Sequence, residues 1–244
     1  MSSSKHPTSR LSFRQFIDES INDRGILKAV FVVGIPGAGK SYTVSKLGGA
    51  ISPRIVNTDR ASEYLSKKLG QPVSGETWAD FRDDAHRITK ATLGNYLNGL
   101  LPLFIDGTSN DVSNILHRAG ILESLGYDVG MIFIDTPLSV AKSRAKERAK
   151  MNNRHVDEDF IERVHALAAE NRNYFKSKFP FFREIKNGED ELTDDVLLEA
   201  FKKTTAFFDS PLQNPVGQRN LATLRANNDK YLVPQVLSKD ELDK

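Results

Sequence analysis

The chain has 244 residues, 39% of them hydrophobic, enough for one substantial core with a small appendage. Its formal net charge of +2 does not argue for a nucleic-acid or membrane partner, and the lack of cysteine excludes disulfides, thiol catalysis and cysteine-based zinc sites. The N-terminus, MSSSKHPTSRLSFRQF, has no apolar h-region, and no apolar run is long enough to span a bilayer, so a soluble cytoplasmic protein is expected.

Residues 1–10 read as disordered, and Leu11–Asp23 as a short amphipathic helix with Phe13, Phe16, Ile17 and Ile21 on one side. Lys28–Gly34 is a continuous apolar, β-branched run, the pattern of a strand buried on both faces. A helix over Lys40–Leu47 follows, stopped by Gly48-Gly49. Arg54–Asn57 is a short strand. In Thr77–Leu97, the residues Trp78, Phe81, Ala85, Ile88, Thr92 and Tyr96 recur at steps of three and four, which predicts a long helix. Strands are expected over Leu101–Ile105, Asp128–Ile134 and Phe181–Lys186. Helices are expected over Val112–Leu125, from Thr136-Pro137 to Lys150, over Asp157–Lys178 and over Asp194–Phe208. Strands alternate with helices throughout, so the fold class is α/β: a parallel sheet with helices on both faces. The domain should span residues 28–209, preceded by residues 1–27. Residues 210–244 read as a linker plus a loosely attached segment without an assignable role.

Residues 34–41, GIPGAGKS, fit G-x-x-x-x-G-K-[ST] between a buried strand and a helix, the context that makes the motif a phosphate cradle. Gly34, Gly37 and Gly39 allow a tight turn whose N–H groups point inward, and the following helix adds its N-terminal dipole. The expected nucleotide-binding stretch is Gly34, Ile35, Pro36, Gly37, Ala38, Gly39, Lys40, Ser41 and Tyr42. Lys40 would reach the β- and γ-phosphates of ATP, and Ser41 would ligate Mg²⁺.

The guanine-reading N-K-x-D motif of switch GTPases is absent, and no strand ends in the Asp-Glu pair of motor ATPases. The strand ends read LFIDGTSN and MIFIDTP, with no glutamate placed to activate water. This favours transfer to a substrate hydroxyl. Asp59, in IVNTDR, is a candidate base for that hydroxyl; the alternative is that Asp59 or Thr58 caps a helix over Arg60–Leu69. Asp106 and Thr108 end the strand LFIDGT, where Asp106 could approach the metal through water, bind the acceptor, or simply make a D-G turn. Arg144 and Arg148 share a helical face in VAKSRAKERAK, and Arg154 lies in a polar break where a lid would be. Any of the three could stabilise charge on a transferred phosphoryl, or simply belong to a solvated basic face.

The order GIPGAGKS, VNTDR, FIDGTSN, IFIDTP and then R…R…RHV resembles the zeta-toxin and phage polynucleotide-kinase group of P-loop kinases over roughly residues 28–190. The resemblance implies an adenylate-kinase-like core of five parallel strands and transfer of the ATP γ-phosphate to a hydroxyl. It implies Asp59 as catalytic aspartate and Lys40 and Ser41 as the P-loop pair. Arg148 and Arg154 correspond to the γ-phosphate arginines, with Arg144 as a substitute, and Asp106 and Thr108 to the acceptor-binding pair. The stretch AHRITKAT is similar to the zeta-toxin substrate segment, which adds Arg87 and Thr89; the alternative for Arg87 is an ion pair with Asp83 or Asp84. His86 and His155 read as solvent-facing. The chain departs from phage polynucleotide kinases at Ser62, where they carry a further arginine, and from zeta toxins at Asp106, where they carry glutamate.

The acceptor stays open between a nucleotide-linked sugar, a nucleic-acid hydroxyl (a 5′-end or a hydroxymethylated pyrimidine in DNA) and a nucleoside monophosphate. An antitoxin-like protein partner is compatible with the resemblance, and a nucleotide-binding regulator without transfer activity is the rival of another class.

Overall fold

The structure is a computed structural model that describes residues 24–48, 52–70, 78–107, 111–152, 156–189 and 192–231. The expected N-terminal helix, Thr108, Arg154 and His155 lie outside the described residues. Five strands form one parallel sheet: β1 (Lys28–Gly34), β2 (Arg54–Val56), β3 (Leu103–Gly107), β4 (Asp128–Asp135) and β5 (Phe181–Lys186), in the order β2-β3-β1-β4-β5. Every residue of β1 is buried, as its unbroken apolar run requires of a central strand covered on both faces. The chain runs from β1 to one side of the sheet for β2 and β3, then to the other side for β4 and β5. The carboxyl end of β1 is therefore the topological switch point, where open α/β sheets bind ligands.

The helices are α1 (Lys40–Leu47), α2 (Thr58–Leu69), α3 (Trp78–Asn98), α4 (Val112–Ser124), α5 (Leu138–Asn152), α6 (Glu158–Lys178), α7 (Asp194–Asp209) and α8 (Pro215–Tyr231). The main core joins Phe31, Phe104, Met131 and Ile132 of the sheet to Leu47, Ile161, Phe175 and Phe208 of the helices. A smaller cluster of Ala61, Leu65, Phe81 and Ala85 holds α2 against α3, on the face that the spacing of Phe81, Ala85 and Ile88 predicts.

The stretch from Ser210 differs from the expected loose linker. The Lys28 ammonium, 2% exposed, pairs with Asp128 at 2.7 Å and donates to the Ser210 hydroxyl (3.0 Å) and the Pro211 carbonyl (3.3 Å). Asp128 also accepts from the Gln213 and Asn214 amides at 2.9 and 2.7 Å. The Asn214 side chain donates to the carbonyls of Glu123 and Tyr127 and accepts from the amide of Val216, in the first turn of α8. Residues 210–214 thus fasten to the amino ends of β1 and β4, opposite the switch point, and lead into α8. Among the described residues no helix is long and apolar enough to cross a membrane.

Candidate active site

The loop between β1 and α1 turns through two left-handed glycines, Gly37 and Gly39, both at φ 83°. Each also sits where a side chain has no room. A Cβ on Gly37 would lie 2.2 Å from the Ala141 carbonyl oxygen of α5, and one on Gly39 would lie 2.5 Å from Asn187 Nδ2. Glycine is thus required here both by conformation and by close approach. Gly39 precedes the first turn of α1 without a side-chain cap, the arrangement in which a helix N-terminus can receive an anion. Lys40 Nζ donates to the carbonyls of Gly34 and Ile35 at 3.0 and 3.2 Å, which holds the ammonium over the loop.

The loop is braced from behind. The Ala38 carbonyl accepts from Asn187 Nδ2 at 2.7 Å and from the Thr136 hydroxyl at 3.3 Å, both side chains being buried. The Asn187 amide donates to the Asp135 carbonyl at 2.8 Å. Arg144 closes the ring, giving Nη1 to the Asn187 carbonyl (3.1 Å) and Nη2 to the Gly188 carbonyl (3.2 Å). The ends of β4 and β5 therefore fix the cradle through residues that the sequence motif does not include.

A cleft of about 410 Å³ opens in front of the loop. It is lined by Pro36–Tyr42, by Asn57, Thr58 and Asp59 from the β2–α2 junction, and by Asp106 and Gly107 from the end of β3. Arg144 and Arg148 of α5, with Val156 and Phe160, complete it. Among the described candidates, Lys40, Ser41, Tyr42, Asp59, Asp106, Arg144 and Arg148 thus share one cavity.

Two local details differ from expectation. Helix α2 begins at Thr58, not Arg60, and its cap is neither Thr58 nor Asp59. Asn57, extended at φ −148° and ψ 122°, accepts the Asp59 amide on Oδ1 at 2.6 Å. Capping thus takes an Asn whose backbone is still strand-like, which frees the Asp59 carboxylate from that role. Thr136 directs its hydroxyl to the cradle rather than to the helix it precedes.

Arg87 is 80% exposed, pairs with Asp84 at 2.8 Å and is not among the residues lining the cleft. Thr89 donates to the Ala85 carbonyl within its own helix. His86 is exposed. Among the described residues no three His, Asp or Glu side chains gather as a metal cage. The Ser41 hydroxyl with phosphate and water suits Mg²⁺, which keeps several waters and takes few protein ligands.

The family model described as AAA domain matches residues 30–170, more than half of the chain. Among solved structures, the AvrRxo1-ORF1:AvrRxo1-ORF2 complex with sulphate ions is 15% identical, with a TM-score of 0.56 over 89% of this chain and 83% of that one. The same complex with ATP gives 15% identity, a TM-score of 0.55 and the same coverage of 89% and 83%. A protein from Chloroflexus aurantiacus, named only provisionally as a kinase, is 15% identical, with a TM-score of 0.52 over 72% of this chain and 95% of that one. At such identities these likenesses speak for the fold. No curated protein matches the sequence. The cradle, the strand order and the family match agree, and the chain belongs to the AAA domain family, on a P-loop kinase-like fold.

Proposed function

We propose that the protein is a Mg²⁺-dependent phosphotransferase that moves the γ-phosphoryl of ATP to an alcohol group. The acceptor oxygen forms the new bond to phosphorus, the bond to the β-bridging oxygen breaks, ADP leaves, and the acceptor proton passes to Asp59. One observation supports the reading: Asp59, from a neighbouring strand–helix junction, lines the same cleft as the phosphate loop. A carboxylate so placed serves a hydroxyl nucleophile. Lys40 holds the β- and γ-phosphates, the Ser41 hydroxyl holds the metal, and bound Mg²⁺ neutralises phosphate charge. Arg144 already gives two N–H groups to the loop carbonyls of Asn187 and Gly188. Arg148, one turn further along the same face, is the arginine we assign to the transferred phosphoryl, together with Arg154.

In keeping with the zeta-toxin and polynucleotide-kinase resemblance, the acceptor we favour is a nucleotide-linked sugar or a nucleic-acid hydroxyl bound near Asp106 and Thr108. The neighbour solved with ATP favours ATP as donor. A protein partner of the kind seen beside AvrRxo1-ORF1 would be sought by co-purification.

The test uses γ-labelled ATP and Mg²⁺ with separate pools of UDP-sugars, nucleoside monophosphates, 5′-hydroxyl oligonucleotides and hydroxymethylpyrimidine DNA. Label should enter one pool and vanish with Lys40→Ala. Asp59→Asn should keep ATP affinity and lose transfer by about 10²–10⁴-fold. Tight ATP binding with label in no pool would favour a regulator instead, and an Asp59→Asn variant with wild-type transfer would remove Asp59 as the base.

A further inference from the structure

Asn57 sits between the two acidic residues of the cleft. The parallel pairing of β2 with β3 runs Arg54 with Leu103, Ile55 with Phe104 and Val56 with Ile105. One step beyond the last pair, the same register brings Asn57 beside Asp106. The contact is made: Asn57 Nδ2 donates to Asp106 Oδ2 at 2.7 Å. The other end of the same amide, Oδ1, accepts the Asp59 backbone N–H at 2.6 Å. One planar group thus fixes the orientation of the Asp106 carboxylate and the starting point of the helical turn that carries Asp59. Both contacts lie on the wall of the cleft, where Asn57 itself is a lining residue.

We propose that Asn57 is a positioning residue of the active site, locking Asp106 and Asp59 at a fixed separation so that one acceptor hydroxyl is met by both. The inference rests on the phosphotransferase reading and deepens it. The chemistry separates two jobs. As a helix cap, Asn is replaceable by Asp or Ser, which cap about equally well. As a donor to Asp106 it is not replaceable by Asp, which has only acceptors when ionised and sets a like charge against Asp106. Around these two carboxylates the cleft also presents Lys40 from α1 and Arg144 and Arg148 from α5, so the local charge is mixed and the lost donor is felt as a lost orientation.

The experiment compares wild type with Asn57→Asp and Asn57→Ser. Affinity for a fluorescent ATP analogue should stay near wild type in both, because the phosphate cradle is retained, and both should still fold cooperatively, because the cap is kept. Transfer to the acceptor found above should fall about 10- to 100-fold, the scale of a misplaced reacting group, with acceptor KM raised. Wild-type kcat and acceptor KM in Asn57→Asp would reduce Asn57 to a cap and overturn the proposal. A readout independent of activity runs alongside: the Asp106 carboxyl carbon followed by NMR against pH. Its titration midpoint should move upward in Asn57→Asp. An unmoved Asp106 signal would overturn the inference in a protein that still transfers phosphate, whereas a wild type that transfers to no acceptor would overturn the phosphotransferase reading and the inference with it.

Discussion

Gly37→Ala is the substitution whose consequence the geometry fixes most tightly. The added methyl would lie 2.2 Å from the Ala141 carbonyl oxygen, 2.9 Å from its carbon and 3.1 Å from its Cα. Ordinary contacts lie near 3.5 Å, so something must move by more than about 1 Å. Ala141 is fully buried on α5, the helix that also carries Arg144 and Arg148, so the retreat falls on the phosphate loop. The φ of 83° adds left-handed strain of about 1–2 kcal/mol, and overpacking adds about 1–3 kcal/mol. The sum, about 2–5 kcal/mol, corresponds to a fall in Tm of roughly 5–20 °C for a domain of this size. A loop displaced by about 1 Å should cost on the order of 100-fold in transfer. Gly70→Ala is the internal control: its φ is 65°, but nothing lies within 4 Å of the added methyl. It should show only the strain, about 1–2 kcal/mol, with normal nucleotide affinity. Scanning fluorimetry and titration with a fluorescent ATP analogue read both variants. Equal Tm losses in the two, with wild-type nucleotide affinity in Gly37→Ala, would refute the packing argument.

Three other outcomes follow from the same structure. Asn187→Ala removes the 2.7 Å donor to the Ala38 carbonyl and should weaken ATP binding about 3- to 10-fold, read by the same titration. Asp128→Ala strands a buried Lys28 and releases the amides of Gln213 and Asn214, so stability should fall by about 3–5 kcal/mol in urea unfolding. Asp128→Asn should cost less, because its one carbonyl oxygen still accepts from one of the two amides. Burial holds the Tyr127 hydroxyl well above the usual tyrosine range. Below pH about 10 folded and unfolded chains both keep this proton and stability is whole. Above it the unfolded chain releases the proton first, so stability should fall by about 1.4 kcal/mol per pH unit. Tyr127→Phe should flatten that decline in unfolding curves between pH 9 and 11.

The parts of the fold that the sequence announced are those governed by local chemistry. Lys28–Gly34, Lys40–Leu47 and Phe181–Lys186 have the expected bounds because unbroken apolar runs, a glycine-rich turn and a proline mark them directly. The phosphate loop is legible for the same reason. Asn187 was not, because Lys186-Asn-Gly-Glu reads as an ordinary turn; only the pairing of β5 with β4 brings its amide beneath Ala38. Asn57 stands two residues before the more conspicuous Asp59, although an Asn before Thr-Asp at a strand end is a good capping signal. The same holds for Asn214-Pro215, which starts α8 and whose cap signal was outweighed by the polar character of the tail. The shared cleft of Lys40, Asp59, Asp106 and Arg148 combines four separate elements, and no spacing along the chain encodes it.

The fastening of residues 210–214 to Lys28 and Asp128 also bears on how the chain matures. Lys28 leaves the ribosome before its partners and waits for its carboxylate until Asp128 is made and for Ser210 until the rest of the sheet has emerged. At about 5–20 residues per second that interval is roughly 10–40 s. Throughout it the amino end of the central strand holds a lysine whose final burial is unfinished, and water must remain around it. The phosphate loop follows Lys28 within a few residues, yet its brace, Asn187, is also made late. The nascent protein therefore carries its most recognisable motif well before the residue that braces it, Asn187, has been made.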